Sequence, residues 1–477
     1  MSMFDINGIM IVSVLFPFLG AVLVMIANRL GGDTGKTALL TAAVAFALSI
    51  MALCYTGAGA RADFIIYMPM GTDFHLVGNM MAAFMATASS FLSFVIMYYS
   101  TAYIEEGPYR AEFFATAMAF LGAMLGLVYS TNLVWIFVFW EITAICSWRL
   151  VGYFRGETDV LKANKTFIIT VFGALFLLLA IVDIATTNGT IDLVHLKGAH
   201  ISLAATIFIM LAAFSKSAIF PFSSWLPDAG VAPSPVTALL HAAVLVKIGV
   251  FAFAKIFSFI VLDISTAQFV MYIAGISSII AGASALKETN IKRIIAYSTI
   301  SQLGFIFLGI AAGGFVGMSG ALLFMLMHGV AKGGLFLCAG IIEHKTHTKD
   351  IMQMGGLARV MPITAIAFGM CALSVMGIPP FGGFFSKFMV FMAAANNAPW
   401  PVLVIFAAAA VFTLAYLSRL FYMVFLAQGT KEYDKDGHEA PHQMVISVAV
   451  LAVLALLLGV FINVPLAYVS AVFGGGL

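Results

Sequence analysis

Four lysines interrupt long apolar runs: Lys216 in MLAAFSKSAIFPFSSWL, Lys247 in HAAVLVKIGVF, Lys332 in HGVAKGGLF and Lys387 in GIPPFGGFFSK. One acid, Glu141 in FVFWEITAI, lies equally deep, and His241 and His328 are the histidines well inside such runs. A centred lysine costs roughly 2.5–3.5 kcal/mol in bare lipid, so five such charges together cost on the order of 15 kcal/mol. Charges that expensive face a wet interior and pair where they can. Four ammonium groups cannot all be neutralised by one carboxylate, so some must be solvated or shed a proton. That is the condition for moving protons.

Spacing refines this reading. His328 and Lys332 stand at i,i+4 and share one helix face. Gly329, Gly333 and Gly334 beside them permit close helix approach or local water. His241 and Lys247 are six apart, which on a regular helix is about 120° around and about 9 Å along, so different neighbours are expected for each. A hydrogen-bonded structural role competes with a relay role for each histidine. Pro221 follows Lys216, and Pro379-Pro380 precede Lys387. Proline removes a backbone donor and frees carbonyls, which at membrane depth is tolerated only where protein or water satisfies them. These prolines predict two broken helices, each carrying a lysine. The lysine comes before the proline in one and after it in the other, which is compatible with inverted repeats.

The elements that must hold these residues follow from composition. The chain is 62% hydrophobic and 9% charged, against about 25% charged in soluble domains. Apolar runs of about 20 residues without two-residue alternation indicate an all-α integral membrane protein of about fourteen transmembrane helices. The seventh (202–225) and twelfth (361–396) contain the prolines. Asp5 is the only charge before the first apolar run, so that run reads as a span rather than a cleavable leader. Most of the 23 Lys and Arg, including Arg29, Lys36, Arg149, Arg155, Lys165, Arg293, Lys431 and Lys435, fall on one side of this layout; Arg61, Lys197 and Lys255 fall on the other. By the positive-inside rule both termini lie outside the cell's inner (cytoplasmic) membrane. The net charge of +2 and the lack of a basic tail give no sign of nucleic acid as a partner. Cys54, Cys146, Cys338 and Cys371 show no CxxC or CxxH spacing, and neither intramembrane histidine has an HxxxH or carboxylate companion. No metal, iron–sulfur or disulfide framework is expected. Asp228, in LPDAG, reads as a turn or helix-start residue, and Trp135 and Trp140 as packing.

Five blocks occur in chain order: WEITAICSWRLVG (140–152), KSAIFPFSSWLPDAGVAPSPVTALLHAAVLVKIGV (216–250), NIKRIIAYSTISQLGF (290–305), HGVAKGGLF (328–336) and GIPPFGGFFSK (377–387). Together they resemble the antiporter-like membrane subunits shared by respiratory complex I, the Mrp cation/proton antiporters and membrane-bound energy-converting hydrogenases. The resemblance spans essentially the whole chain. It implies a single membrane domain, 1–477, built from two inverted five-helix repeats, helices 4–8 (112–258) and 9–13 (266–426). It also implies that Glu141 and Lys216 form a pair whose separation tunes the lysine's proton affinity. The remaining relay groups would be Lys247, His328, Lys332 and Lys387. Asn290 stands where relatives often have Asp, and some members have glutamate in place of the twelfth-helix lysine. The chain ends after its fourteenth span, without the long lateral helix of the largest complex I member, so it resembles the shorter members. The wording HAAVLVKIGV is nearest the Mrp and hydrogenase branches.

The expected function is a proton- or sodium-translocating subunit of a redox-driven complex, with a subunit of an Mrp-type antiporter without redox chemistry as the alternative. No flavin, quinone, nickel or iron–sulfur motif occurs, so no cofactor is expected and the chain is not catalytic alone. Expected partners are other membrane subunits, together with iron–sulfur/hydrogenase-like or quinone-reductase-like peripheral subunits. A solute transporter or a membrane scaffold fits a line of lysines less well.

Overall fold

The computed structural model describes residues 5–429 and 439–474; the predicted inner-loop cations Lys431 and Lys435 lie outside the described residues. Twelve helices among the described residues are long and apolar enough to cross a membrane, and the chain is a multi-pass membrane protein. They are α1 (Ile6–Arg29), α2 (Thr34–Gly57), α3 (Met80–Tyr103), α4 (Arg110–Tyr129), α5 (Leu133–Val151), α6 (Glu157–Asn188), α8 (Ser234–Phe259), α9 (Ile264–Lys287), α10 (Ile291–Ala312), α11 (Gly314–Thr346), α13 (Trp400–Leu426) and α14a (His442–Val460). Shorter helices complete the set: α7a (Leu203–Lys216), α7b (Trp225–Asp228), α12a (Pro362–Met376), α12b (Gly382–Asn397) and α14b (Asn463–Val472).

Polar side chains start these helices where apolar ones could not. Asp5, Asp33, Asn79, Asn132, Ser202, Asp263 and Asn290 each accept from a first-turn backbone N–H, satisfying donors that have no partner inside the helix. α8, α10 and α11 are almost wholly enclosed, whereas only about a third of α2 and α13 is buried. Most of the intramembrane charges ride on the enclosed helices or on the broken ones packed against them.

The sequence reading needs three amendments. First, the breaks begin before the prolines. α7a stops at Lys216, and Ala218 takes a left-handed φ of 52° three residues ahead of Pro221. α12a ends at Met376 with Gly377 at φ 82°, a conformation glycine adopts without a Cβ clash. Second, α8 is not regular. Leu239–Ala243 form a π-helical turn and Val244 departs to φ −129°, ψ −75°, so helical-wheel spacing between His241 and Lys247 does not apply. Third, the link after α2 folds as an antiparallel hairpin, β1 (Ala62–Ile66) with β2 (Phe74–Gly78), which no feature of the sequence had suggested. It rests on the α4–α5 turn through Asn132 Nδ2 to the Gly71 carbonyl (2.9 Å) and Trp135 Nε1 to the Thr72 carbonyl (3.0 Å). The side of the molecule carrying this hairpin is called the hairpin face below, and the opposite side, which carries most of the Lys and Arg, the basic face.

Candidate functional site: a buried lysine row

Each of the four intramembrane lysines is enclosed: Lys216 and Lys332 are 0% exposed, Lys247 2% and Lys387 6%. Among the described residues, none is held by a carboxylate within ion-pair distance. All four instead donate to backbone carbonyls, Lys247 and Lys387 to carbonyls freed at a π-turn and a helix end, Lys216 and Lys332 to carbonyls within regular helices.

Lys216, the last residue of α7a, donates to the Trp140 carbonyl on α5 (3.1 Å), and its ammonium lies 5.4 Å from the Trp140 ring centroid. Trp140, read as packing, is thus a direct partner. Glu141, next along α5, is the acid whose charge reaches Lys216. Its Oε1 has no hydrogen-bond partner, so the expected pair is present but apart. The break after α7a is satisfied locally. Trp225 Nε1 donates to the Ser215 carbonyl (3.0 Å), Ser217 Oγ to the Val246 carbonyl (3.0 Å), and the Phe220 N–H to Ser277 Oγ (3.1 Å).

Lys247 folds back onto the π-turn and donates to the Ala242 carbonyl (2.5 Å), and it meets His328 Nδ1 at 3.3 Å. His241 faces elsewhere: its Nδ1 lies 3.3 Å from Thr299 Oγ1 and its ring lies 4.4 Å from that of Phe336. The different neighbours expected for these two residues are therefore seen, although on an irregular helix. On α11, Lys332 donates to the Ile295 carbonyl (3.1 Å) and to Ser298 Oγ. Ser298 in turn accepts from Tyr416 Oη (3.1 Å), which also reaches Thr413, the acceptor of Gln302 Nε2. This hydroxyl branch into α13 was not visible in the sequence, because it joins residues more than a hundred positions apart. Lys387 spans the second break, donating to the Val375 carbonyl (2.7 Å) at the end of α12a, beside the rings of Phe305 and Phe324.

The structure therefore gathers Lys247, His328, Lys332, Lys387 and His241 into one electrostatically connected group, with Glu141 and Lys216 as a separate pair. The two approach each other where α7a crosses α8. A Cβ on Gly249 would stand 2.7 Å from the Ala213 carbonyl and 3.0 Å from Lys216 Cβ, so only glycine permits this contact. Protonation of one member of the group disfavours protonation of the next. Among the described residues no group of three or more His, Cys, Asp or Glu is placed to hold a metal ion.

Residues 130–413, most of this framework, match the family described as NADH:quinone oxidoreductase/Mrp antiporter, TM. The chain belongs to that family. It is 34% identical over 497 residues to a Na(+)/H(+) antiporter subunit of Alkalihalophilus pseudofirmus, covering 95% of this chain and 61% of that protein. It is 36% identical over 407 residues to the corresponding protein of Bacillus subtilis, covering 78% and 50%. The chain thus spans between half and about three fifths of the length of these curated relatives. Among solved structures, the Mrp complex from Dietzia sp. DQ12-45-1b superposes with a TM-score of 0.85 at 28% identity, over 98% of this chain and 52% of the matched one. A chain of the membrane-bound sulfane sulfur reductase, an archaeal respiratory membrane complex, shares the fold (TM-score 0.86, 22% identity, 97% of each chain).

Beyond the family's membrane interior, two features add to the sequence reading. Asp228 does stand at a turn and helix start, before the 3-10 turn Ala229–Val231, but its side chain makes no cap there. It ends α7b and binds both Lys165 of α6 and Arg293 of α10 at 2.7 Å, and Arg293 also holds Glu288 at 2.7 Å. Burial pushes the Asp228 carboxyl up, but the hydrogen bonds from Lys165 and Arg293 outweigh it and leave its pKa lowered. Lys255, assigned to an outer helix end, is only 3% exposed and donates to the carbonyls of Val128 (2.6 Å) and Ser130.

Proposed function

We propose that this chain is an ion-translocating membrane subunit that moves protons, or protons against sodium, along the row Glu141–Lys216–Lys247–His328–Lys332–Lys387, with His241 beside it. The observation that carries the reading is the enclosure of four ammonium groups on α7a, α8, α11 and α12b, with no carboxylate partner among the described residues and with irregular backbone beside Lys216, Lys247 and Lys387. A buried base of this kind is useful for taking up and releasing a proton and has little value as a structural element. Charge moved at one site changes the proton affinity of the next, which lets a distant event drive the row. The breaks around Pro221, Pro379 and Pro380 supply free carbonyls and room for side-chain motion. Segments 112–258 and 266–426 would be the two inverted repeats.

Kinship with Na(+)/H(+) antiporter subunits supports an Mrp-type assembly, in which the row exchanges sodium for protons. The likeness in fold to a respiratory complex keeps a redox-driven arrangement in view, with iron–sulfur, hydrogenase-like or quinone-reductase-like peripheral subunits handling electrons. In either arrangement other membrane subunits would cover the side of α5 and α6, where Glu141 is only half-buried within this chain. The basic face would lie in the cytoplasm and both termini outside. The test is purification in mild detergent, identification of co-purifying chains by mass spectrometry, and reconstitution. Sodium-dependent collapse of a pH gradient with only small membrane subunits present supports the antiporter. Proton uptake only on electron transfer supports the redox-driven form. A complete assembly that moves no ion under either drive contradicts the proposal.

A further inference from the structure

Lys255 is a buried lysine that the row does not include. It lies on α8 eight residues beyond Lys247, about 12 Å further along the helix toward the hairpin face. Its hydrogen-bond acceptors are the carbonyls of Val128 and Ser130, at the end of α4. The charge that reaches it is that of Asp192, in the link between α6 and α7a.

Asp192 continues the path outward. Its Oδ2 lies 2.6 Å from His75 Nδ1 and accepts from Thr131 Oγ1 at 3.3 Å, while Oδ1 accepts from the Val194 N–H at 2.8 Å. His75, on β2, places its other nitrogen, Nε2, 3.0 Å from Asp63 Oδ1 on β1. Exposure rises only at the last member: the side chains of Asp192 and His75 are 9% and 6% exposed, and that of Asp63 is 60%. A cleft of about 420 Å³ opens beside the inner end of this path. Its walls include Val194, whose N–H binds Asp192, and Ser258, whose hydroxyl binds the Lys255 carbonyl; Arg61 and Lys197 stand at its rim.

We propose that Lys255, Asp192, His75 and Asp63 form a proton port joining the buried row to the hairpin face. The inference rests on the translocation reading above and adds a route and a side to it. One proton delivered outward breaks an N–H bond at Lys255 and, passed on by water because no hydrogen bond joins the two side chains, forms an O–H bond at Asp192. Neutral His75 accepts that proton on Nδ1 and releases another from Nε2 to Asp63, which gives it to water. The starting tautomer returns when water takes the proton from Nδ1 and gives one to Nε2. Uptake runs the same steps in reverse.

A clamp fastening the hairpin is the competing account. The hairpin is already fastened without the imidazole, by the Thr131 N–H to the His75 carbonyl (3.0 Å) and by Asn132 and Trp135. A clamp also has no use for a carboxylate on each ring nitrogen or for an enclosed ammonium behind them. The hydrogen bond with Asp192 raises the His75 pKa against burial, and Asp63 adds to it. The ring therefore keeps its proton to higher pH than a free imidazole does.

The test uses the whole complex in vesicles, with the initial rate of proton movement measured against pH on the hairpin-face side. Asp63→Asn keeps a hydrogen-bonding group at an exposed position and removes the outermost titrating site. His75→Gln interrupts the relay, and Lys216→Ala controls for the row. The port predicts normal assembly of Asp63→Asn, a rate several-fold below wild type, and a changed dependence on pH at that face. His75→Gln is expected to fall at least ten-fold. Wild-type rates and profiles in Asp63→Asn, with Lys216→Ala inactive, overturn the port and leave the translocation reading standing. A uniform rate loss with an unchanged profile assigns these residues to the clamp and also overturns the port. Normal transport by Lys216→Ala removes the translocation reading itself, whatever the other variants do. Should His75→Gln not assemble, Asp63→Asn alone decides.

Discussion

Gly459 of α14a lies against the second break. A methyl group there would stand 2.5 Å from the Phe381 carbonyl carbon and 2.6 Å from the Gly382 nitrogen, and would also run into the Pro380 carbonyl oxygen. All three are backbone atoms and cannot rotate away. Ordinary contact begins near 3.4 Å, so α14a and the break must part by about 0.9 Å from the Phe381 carbon and by more from the Pro380 oxygen, an overpacking that costs about 1–3 kcal/mol. Were that shift transmitted along the Lys387–Val375 hydrogen bond, its 2.7 Å would stretch to about 3.6 Å or more, past the limit of a hydrogen bond. Loss of a bond from a charged donor adds about 1.5–3 kcal/mol. Helix propensity argues the other way, since Gly→Ala inside a helix gains about 1 kcal/mol. Gly459→Ala is therefore expected to lower the melting temperature of the detergent-purified complex and to slow ion movement in vesicles at least ten-fold. Wild-type melting and transport in Gly459→Ala would show that the break tolerates displacement, and that the position of Lys387 against α12a is not needed.

Asp228→Asn removes two half-exposed ion pairs at 2.7 Å and should cost about 1–2 kcal/mol after solvent screening. Because the Asp228 pKa is lowered, its contribution is present above about pH 3.8 and is lost as pH falls through the folded value. Unfolding curves of the two proteins should therefore converge in acid, and a constant difference would contradict the assignment. The raised pKa of His75 gives the opposite sign. Its contribution to hairpin docking is full below about pH 6.5 and is lost as pH rises through the folded value. Amide exchange in Phe74–Gly78, corrected for the intrinsic pH effect, should accelerate above that range; equal protection at about pH 6 and about pH 9 would refute it. Tyr416→Phe takes one partner from Ser298, the hydroxyl that receives Lys332, and should cost about 1–2 kcal/mol and slow transport. Unchanged transport would place the α13 branch outside the pathway.

The lysines were legible because a charge inside 20 apolar residues has no bland surroundings to hide in. Glu141, His241 and His328 were legible for the same reason. The breaks were legible only approximately. Proline marks where a helix cannot continue, but the chain turns earlier, at Ala218 and Gly377, where a left-handed φ ends the hydrogen-bond ladder. The π-turn at Leu239–Ala243 leaves no trace in residue types, and its Ala242 carbonyl receives the Lys247 ammonium. The hairpin is built from two five-residue strands whose alternation is too short to stand out in a loop. The ion pairs of Asp228 were hidden because its partners lie 63 and 65 positions away. Lys255 sits where a span meets its loop, so nothing in the sequence distinguishes an enclosed ammonium from one that reaches the surface.

The central claim is that the enclosed lysines carry the ion current, and Lys216 tests it most directly. Its ammonium donates to a carbonyl, and Glu141 beside it stands apart, so truncation leaves no stranded ion pair to unfold the helix. The measurement is proton movement by the reconstituted complex carrying Lys216→Ala, with assembly verified by the full set of co-purifying subunits. The account predicts an assembled complex that moves no ions. Normal transport by that complex would contradict it.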